Sequence, residues 1–339
     1  MVVLVGKFIM KIGIIGYKGH SKRIIEILKK NELIDQIIVY CRSERTAKDL
    51  TNENLIRNII YTSELKDLLI SSGIIISSNN ESHVGYIKKF LRTKAYIFCE
   101  KPACVTLKEF NYLKNLSLSD KRRIYINFNL RRSSYLNKLS EIISNKDLGK
   151  VINISSNLTY GIAFNSDFKK NWRANKSTIF NNIAGNLGIH YINLFESLFG
   201  KSVDTKINLS SNISSNFFDT SNILLRFNKN ISSSIFLSYA SPYSFNTTVH
   251  LTNGIVEFNN GKINLYHPRD TFNKLGLYAS PRKKVIGKFD NEFMNKSLVD
   301  SVNYFILKVH LKKNFLVKEF NDCIDSSYSL LNSEINPKF

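Results

Sequence analysis

Acidic side chains are in short supply. The chain has 27 Asp and Glu against 48 Lys and Arg, a formal charge of +21. So basic a balance raises nucleic-acid binding, which needs the cations gathered on one face. Here they are scattered singly and in pairs, as at Lys29-Lys30, Lys88-Lys89 and Lys312-Lys313, within a general bias toward Ile, Asn and Lys. No nucleic-acid partner is therefore expected, and the same field favours an anionic small molecule. Long apolar runs are also missing: none approaches the ~20 residues that span a membrane. The opening MVVLVGKFIM is short, lacks a small-residue cleavage site and leads into a strand, with Met10 an alternative start. A soluble, cytoplasmic protein without a membrane partner is expected. Cysteine is sparse, at Cys41, Cys99, Cys104 and Cys323. The Cys99–Cys104 spacing is neither a zinc nor a redox spacing, so reduced core thiols are expected. No metal-ligand spacing and no serine-histidine-acid set stands out, and no metal is expected.

What is present is core. With 339 residues, 43% of them hydrophobic and 12% aromatic, the chain is long enough for two domains. Up to about residue 130, apolar runs alternate with helical patterns. The runs are residues 11–16, 36–41, 58–62, 73–78, 95–100 and 124–129. They are continuous in Ile, Val and Tyr, as befits strands buried on both faces of a parallel sheet. Between them, residues 20–31 place Ile24, Ile27 and Leu28 on one helical face. Ser63 is placed to cap ELKDLLI, and Thr106 with Glu109 forms a capping box. The fold expected is α/β: an N-terminal Rossmann domain, doubly wound on a parallel sheet, over 10–130.

From 131 to 339 the texture changes to an α+β domain with a large open, mainly antiparallel sheet. A helix over 133–145 precedes the strand VINISSNLTYG, and a buried helix runs over roughly 180–199. Strands KINLSS, NILLRFN and SSSIFLSYA follow. Asn253-Gly254 and Asn260-Gly261 separate three alternating runs and predict a meander. Two helices, near 289–313 and 317–334, close the chain and are free to pack back on the first domain.

The first run leads into Gly16-Tyr17-Lys18-Gly19-His20-Ser21, a strand-turn-helix junction of the dinucleotide type. Gly16 ends the strand, where phosphate must approach the backbone. Gly19 falls one residue late for a second such glycine, and Ser21 is small enough for close helix packing. Lys18 adds charge where the helix N-terminus is already positive. No carboxylate ends the second strand, which runs Val39-Tyr40-Cys41 into Arg42-Ser43-Glu44-Arg45. Arg42 reads as a partner for a ribose 2′-phosphate or as a solvated loop residue, so the cofactor is NAD or NADP, with NADP favoured.

The fifth run ends in Cys99-Glu100-Lys101-Pro102, at the strand edge where open α/β sheets bind ligands. A partly desolvated lysine beside a cationic nicotinamide has its pKa pushed down from ~10.4, which suits proton transfer. On the later buried helix, His190 follows Asn186 by four residues and shares its face. Its unperturbed pKa near ~6.5 suits reversible proton transfer too, and a satisfied core histidine is the plainer alternative. His83 reads equally as a local cap or as a neighbour of the nicotinamide ribose. His20 reads as a solvated residue at the helix start.

These motifs resemble, in order, those of the glucose–fructose oxidoreductase and inositol dehydrogenase family, called Gfo/Idh/MocA. The matched stretches are KIGIIG with its turn, SSNNESH, Glu100–Thr106, Asn127–Arg131, Gly149-Lys150, Trp172-Arg173 and Asn186–His190. The resemblance implies an NAD(P)-dependent dehydrogenase or reductase. A hydride passes between nicotinamide C4 and a secondary hydroxyl or ketone of a sugar or sugar nucleotide. It further implies Lys101 orienting the hydroxyl and His190 as general acid/base, with Asn129, Arg131, Tyr160 and Asn186 at the substrate. Gly16, Tyr17, Lys18, Gly19, Arg42, Ser43, Ser78, Asn79, His83, Glu100, Lys101, Trp172 and Arg173 would meet the cofactor. A homodimer or homotetramer is implied as well. The chain departs from the pattern at Asn186 and Asn193, where the family has or commonly has aspartate. An amide cannot take a proton. A non-catalytic nucleotide- or sugar-responsive binding protein on the same scaffold is therefore the alternative function.

Overall fold

The computed structural model describes residues 10–53, 58–170, 174, 179–214, 216–267 and 272–338. In chain order the first part runs β1 (Lys11–Ile15), α1 (His20–Lys29), β2 (Gln36–Tyr40), α2 (Glu44–Glu53), β3 (Ile59–Thr62), β4 (Gly73–Ile76), α3 (His83–Phe90) and β5 (Tyr96–Glu100). Then come α4 (Leu107–Lys114), α5 (Leu118–Lys121) and β6 (Ile124–Asn127). These strands pair in parallel in the order β3-β2-β1-β4-β5-β6. That is the doubly wound Rossmann order, with its reversal between β1 and β4. Strand interiors are buried without alternation, as in Ile74, Ile75 and Ile76, because helices cover both faces.

The second part holds α6 (Ser134–Ser144), β7 (Val151–Thr159), α7 (Ile189–Phe199), β8 (Asp204–Ser210), β9 (Thr220–Arg226), β10 (Ser232–Ser238) and β11 (Ser244–Leu251). It continues with β12 (Gly254–Asn259), β13 (Lys262–His267), β14 (Arg282–Lys288), α8 (Phe293–His310), α9 (Val317–Leu331) and β15 (Glu334–Lys338). The sheet order is β14-β13-β12-β11-β7-β10-β9-β8-β15. Among the described strands of this second sheet, only the β7–β10 and β8–β15 pairs are parallel.

The chain divides into two compact units. One takes residues up to Asn129 together with Leu298–Ile324, the other Leu130–Ser297 and Asp325 onward. The core of the first unit shows why the late segment belongs to it. Val302, Phe305, Ile306 and Val309 of α8, with Phe315, pack among Ile12, Ile37, Phe98 and Tyr125. Phe305 lies edge-on to Phe98 at 5.4 Å and stacks on Phe315 at 5.9 Å. In the second unit, Tyr135 of α6 is surrounded by Phe245, Phe258, Phe289 and Phe293.

Several local expectations change. Ser63 does not cap a helix: Glu64 precedes a short 3-10 segment at Leu65–Ile70 and makes no capping bond. The six residues before the next strand are too few for an α-helix to repay its nucleation. In the capping box, Thr106 Oγ1 accepts from Glu109 N, but the Glu109 carboxylate returns to Val105 N rather than to Thr106. The first Asn-Gly turn is shifted by one residue. Leu251 pairs with Gly254, so Thr252 and Asn253 form the turn. Its amides bond to Lys150 O and Leu148 O, and that tie sets the register. The second turn is as expected, with Asn260 and Gly261 at φ 48° and 72°. Strands β14 and β15 were not legible, since their Lys-, Asn- and Pro-rich stretches carry weak strand patterning. β15 begins at Glu334, which ends the last helix short of its expected limit.

Candidate active site

The turn between β1 and α1 is built on Gly16. Its φ is +118°, and a Cβ there would stand 2.6 Å from Ser77 O and 2.7 Å from Ser21 Oγ. A side chain is excluded on both counts. Gly19 has open space around it and a φ of 51°, so it supplies turn geometry rather than close approach. Close packing falls to Ser21, which is buried. Its hydroxyl donates to Ser77 O at 2.9 Å and lies 3.0 Å from Ser77 Oγ, tying the start of α1 to the exit of β4.

A cavity of about 560 Å³ opens over this turn, at the switch point of the sheet. Gly16, Tyr17, Lys18, Arg42, Ser43, Ser78 and Asn79, all singled out from sequence, line it together. Ser21, Tyr40, Ser77, Ser82 and Tyr86 line it as well and were missed as ligand residues. Tyr40 ends β2 where a ribose-binding carboxylate often stands, which was a usable signal. Tyr86 lies on α3 and is visible only once that helix is placed. Burial and Tyr40 push the Tyr86 phenol up, and the nearby Arg42 charge works against them. Lys18 lies 5.3 Å from the centre of the Tyr17 ring. A backbone stripped of side chains at Gly16, amides at the start of α1 and cations at Lys18 and Arg42 fit a phosphorylated dinucleotide.

Gly19, His83, Glu100 and Lys101 are not among the lining residues. His83 is fully buried, with Nδ1 2.7 Å from Pro102 O and Nε2 3.1 Å from Ser78 O. The structure thus places it as a tie between the β4 exit and the Glu-Lys-Pro turn. Burial holds its pKa below the usual value despite those bonds and the Glu100 and Glu81 charges.

Glu100 ends β5 and is 8% exposed. Burial acts to raise its pKa, yet the carboxyl is held below its usual range by the charge and bond of His20, the Asn127 bond and the Lys101 charge. His20, read from sequence as solvated, lies with Nε2 3.0 Å from Glu100 Oε1. Asn127 Nδ2 donates to the same oxygen at 2.7 Å. Behind it, Ser301 Oγ donates to Asn127 Oδ1 at 2.6 Å, and Tyr125 OH lies 2.6 Å from Ser301 Oγ. Lys101 is half-buried and joined to Pro102 by a cis peptide. Cys41 is buried and its thiol is pushed up to about 11 by that burial; burial pushes the Cys99 thiol up as well, with the Glu100 and Cys104 charges adding to it. These thiols stay protonated and inert.

In the second unit, Asn186 is not on an α-helix. It lies in a π-helical turn, Ala184–Gly188, ahead of α7, so an α-helical four-residue offset to His190 does not apply. The wide turn accommodates Gly185, where a Cβ would meet Ile179 O at 2.2 Å. Asn186 Nδ2 donates to Tyr239 OH at 2.7 Å, and the Tyr239 ring lies 5.3 Å from that of Tyr160. His190 is half-buried in the first turn of α7. Asn129 and Arg131 share a 3-10 turn, and Arg131 Nε donates to Asn193 Oδ1 at 2.8 Å. Asn193 Nδ2 donates to Ser326 Oγ at 3.0 Å, whose proton goes to buried Glu196 at 2.7 Å. Tyr239, Ser326 and Glu196 come from distant parts of the chain, and no local pattern marks them. Trp172 and Arg173 lie outside the described residues. Among the described residues, no group of three His, Cys, Asp or Glu side chains is arranged to hold a metal. No described helix is long and apolar enough to cross a membrane.

Comparison with known proteins agrees with this architecture. Residues 10–128 match the oxidoreductase family with an NAD-binding Rossmann fold, and residues 136–257 match the GFO/IDH/MocA C-terminal domain. The chain belongs to the GFO/IDH/MocA oxidoreductase family and carries its NAD-binding Rossmann domain. It is 30% identical over 205 residues to glucose-6-phosphate 3-dehydrogenase of Bacillus subtilis, covering 58% of this chain and 57% of that one. The match thus spans little more than half of that relative's length. An oxidoreductase from Agrobacterium radiobacter in complex with NAD+, L-tartaric acid and magnesium has a similar fold, with a TM-score of 0.74 at 14% identity over 96% of this chain and 95% of that one. A 3-ketoreductase from Actinomadura kijaniata in complex with NADP and TDP-benzene gives 0.73 at 12% identity over 98% and 100%.

Proposed function

We propose that this protein is an NAD(P)-dependent oxidoreductase acting on a secondary hydroxyl or ketone of an anionic sugar derivative, with NADP as the preferred cofactor. The observation that carries this reading is the Gly16–Ser21 turn opening into a cavity lined by Lys18, Arg42 and Ser43. The bound nicotinamide would accept or give the hydride. Arg42 and Ser43 would hold a 2′-phosphate, since a guanidinium and a hydroxyl stand where an acidic residue would repel it. Tyr40 and Tyr86 would flank the adenosine end. Lys101 would orient the reacting hydroxyl and His190 would move its proton, with Arg131, Asn129, Tyr160 and Asn186 on the substrate side. The phosphate on the Bacillus relative's sugar and this chain's +21 charge both favour an anionic substrate.

The test is titration of the purified protein with NADH and NADPH, followed by fluorescence and thermal shift. Micromolar binding with NADPH preferred supports the reading. Turnover of sugar phosphates is then screened against Lys101→Ala and His190→Ala. A folded protein that binds neither nucleotide overturns it. One that binds but turns over no sugar leaves the binding-protein alternative, which the amide at Asn186 favours.

A further inference from the structure

We propose that His20 is a positioning residue that ties the dinucleotide turn to the Glu100-Lys101-Pro102 turn, so that the two hold one geometry. Gly19 stands at the N-cap of α1 and supplies no side-chain bond. The first-turn amides are left for a phosphate, and something other than a cap must hold them in place. Two adjacent side chains do so. Ser21 reaches the β4 exit, where its Oγ donates to Ser77 O at 2.9 Å. His20 reaches the end of β5, where its Nε2 lies 3.0 Å from Glu100 Oε1.

The direction of the second tie is fixed from its far side. Ser301 Oγ donates to Asn127 Oδ1, so Asn127 turns its NH2 to Glu100 Oε1 at 2.7 Å. Tyr125 OH, 2.6 Å from Ser301 Oγ, is the donor there. Every bond runs toward the carboxylate, so Glu100 Oε1 accepts and His20 donates from Nε2. A neutral imidazole can do this, and the tie needs no charge on the histidine. Lys101 is thereby bracketed. Glu100 before it is held by His20, and the carbonyl of Pro102 after it lies 2.7 Å from His83 Nδ1. His83 Nε2 lies 3.1 Å from the carbonyl of Ser78, a residue of the cavity wall. Each flank of the lysine is hydrogen-bonded toward the dinucleotide cavity, one through α1 and one through the β4 exit. A ligand that orders the start of α1 orders Glu100 with it, and a fixed Glu100 in turn prepares that start for the ligand. The inference rests on dinucleotide binding at this turn and on no choice of sugar.

The test uses the full chain, nucleotide titration, and amide hydrogen exchange read by mass spectrometry. His20→Ala is expected to weaken NADPH and NADH alike by about tenfold, the scale of one hydrogen bond to a charged group. A lost 2′-phosphate contact would instead weaken NADPH alone. In the nucleotide-free protein, His20→Ala speeds exchange at residues 20–23 and at residues 101–104 together. His20→Gln, whose amide also donates, restores affinity to within about twofold and restores both segments. In a Glu100→Ala background, His20→Ala has no further effect on affinity. Should Glu100→Ala fail to fold, the two His20 variants carry the test. Natural affinity in His20→Ala overturns the proposal, as does faster exchange at 20–23 with 101–104 unchanged. A His20→Gln variant as weak as His20→Ala also overturns it, since the imidazole would then act on the nucleotide itself. If the natural protein binds neither nucleotide, the proposed function falls and the exchange comparison still decides the tie.

Discussion

Asn193 takes a hydrogen bond from Arg131 Nε at 2.8 Å and gives one to Ser326 at 3.0 Å. Both halves of the amide are used, so this departure from the family's aspartate is built into the packing. Ser326 has already committed its proton to Glu196. A carboxylate at 193 would face Ser326 with no proton between them and would add a second buried charge near Glu196. Asn193→Asp is therefore expected to destabilise the protein by about 1–3 kcal/mol. The midpoint of urea unfolding reads this directly, and an unchanged midpoint would show that the amide donor is dispensable.

Gly16→Ala puts a methyl 2.6 Å from Ser77 O at a φ that alanine avoids. The turn must open, and the cavity opens with it. A loss of at least tenfold in dinucleotide affinity is expected, with secondary structure retained by circular dichroism. Ser21→Ala removes only the tie to Ser77, and its effect should be smaller, about 1 kcal/mol of stability.

Arg42 tests cofactor choice. Arg42→Ala should weaken NADPH at least tenfold and leave NADH within about twofold, because a charge-assisted bond to a phosphate is among the stronger polar contacts. Equal losses for both nucleotides would show a general electrostatic role for Arg42.

His83 predicts a pH dependence. Its folded pKa lies below the unfolded value of about 6.5, so the unfolded chain binds the proton more readily. Stability is then full above that pH and falls as pH drops below it, by up to about 1.4 kcal/mol per unit. Glu100, also held below its usual value, adds a further loss below about pH 4.5. Thermal unfolding between pH 8 and 5 should show the first slope in the natural protein. His83→Gln should flatten it, whatever its midpoint.

Most of the parallel sheet was legible because each strand is a continuous apolar run bounded by helical patterns. The β1–α1 turn was legible from Gly16 outward: Gly19 stands one residue late and only shapes the turn, and Ser21, small enough for close packing, makes the approach to Ser77. What escaped was tertiary. His20 is an unremarkable surface histidine until β5 brings Glu100 to it from 80 residues away. The Asn186–His190 spacing assumed an α-helix; the structure has a π-turn there, in which Gly185 packs too close to Ile179 for a side chain. The Thr252-Asn253 turn was set by bonds to Leu148 and Lys150 that no local pattern reveals.

The first unit draws Leu298–Ile324 into its core. A ribosome delivers those residues only after the whole nine-stranded sheet except β15. Until then Phe98 and Tyr125 lack Phe305 and Phe315, and the nascent Rossmann unit carries an uncovered apolar face. The half of the molecule that is made first is therefore completed only near the end of synthesis, just before Asp325 onward completes the other unit.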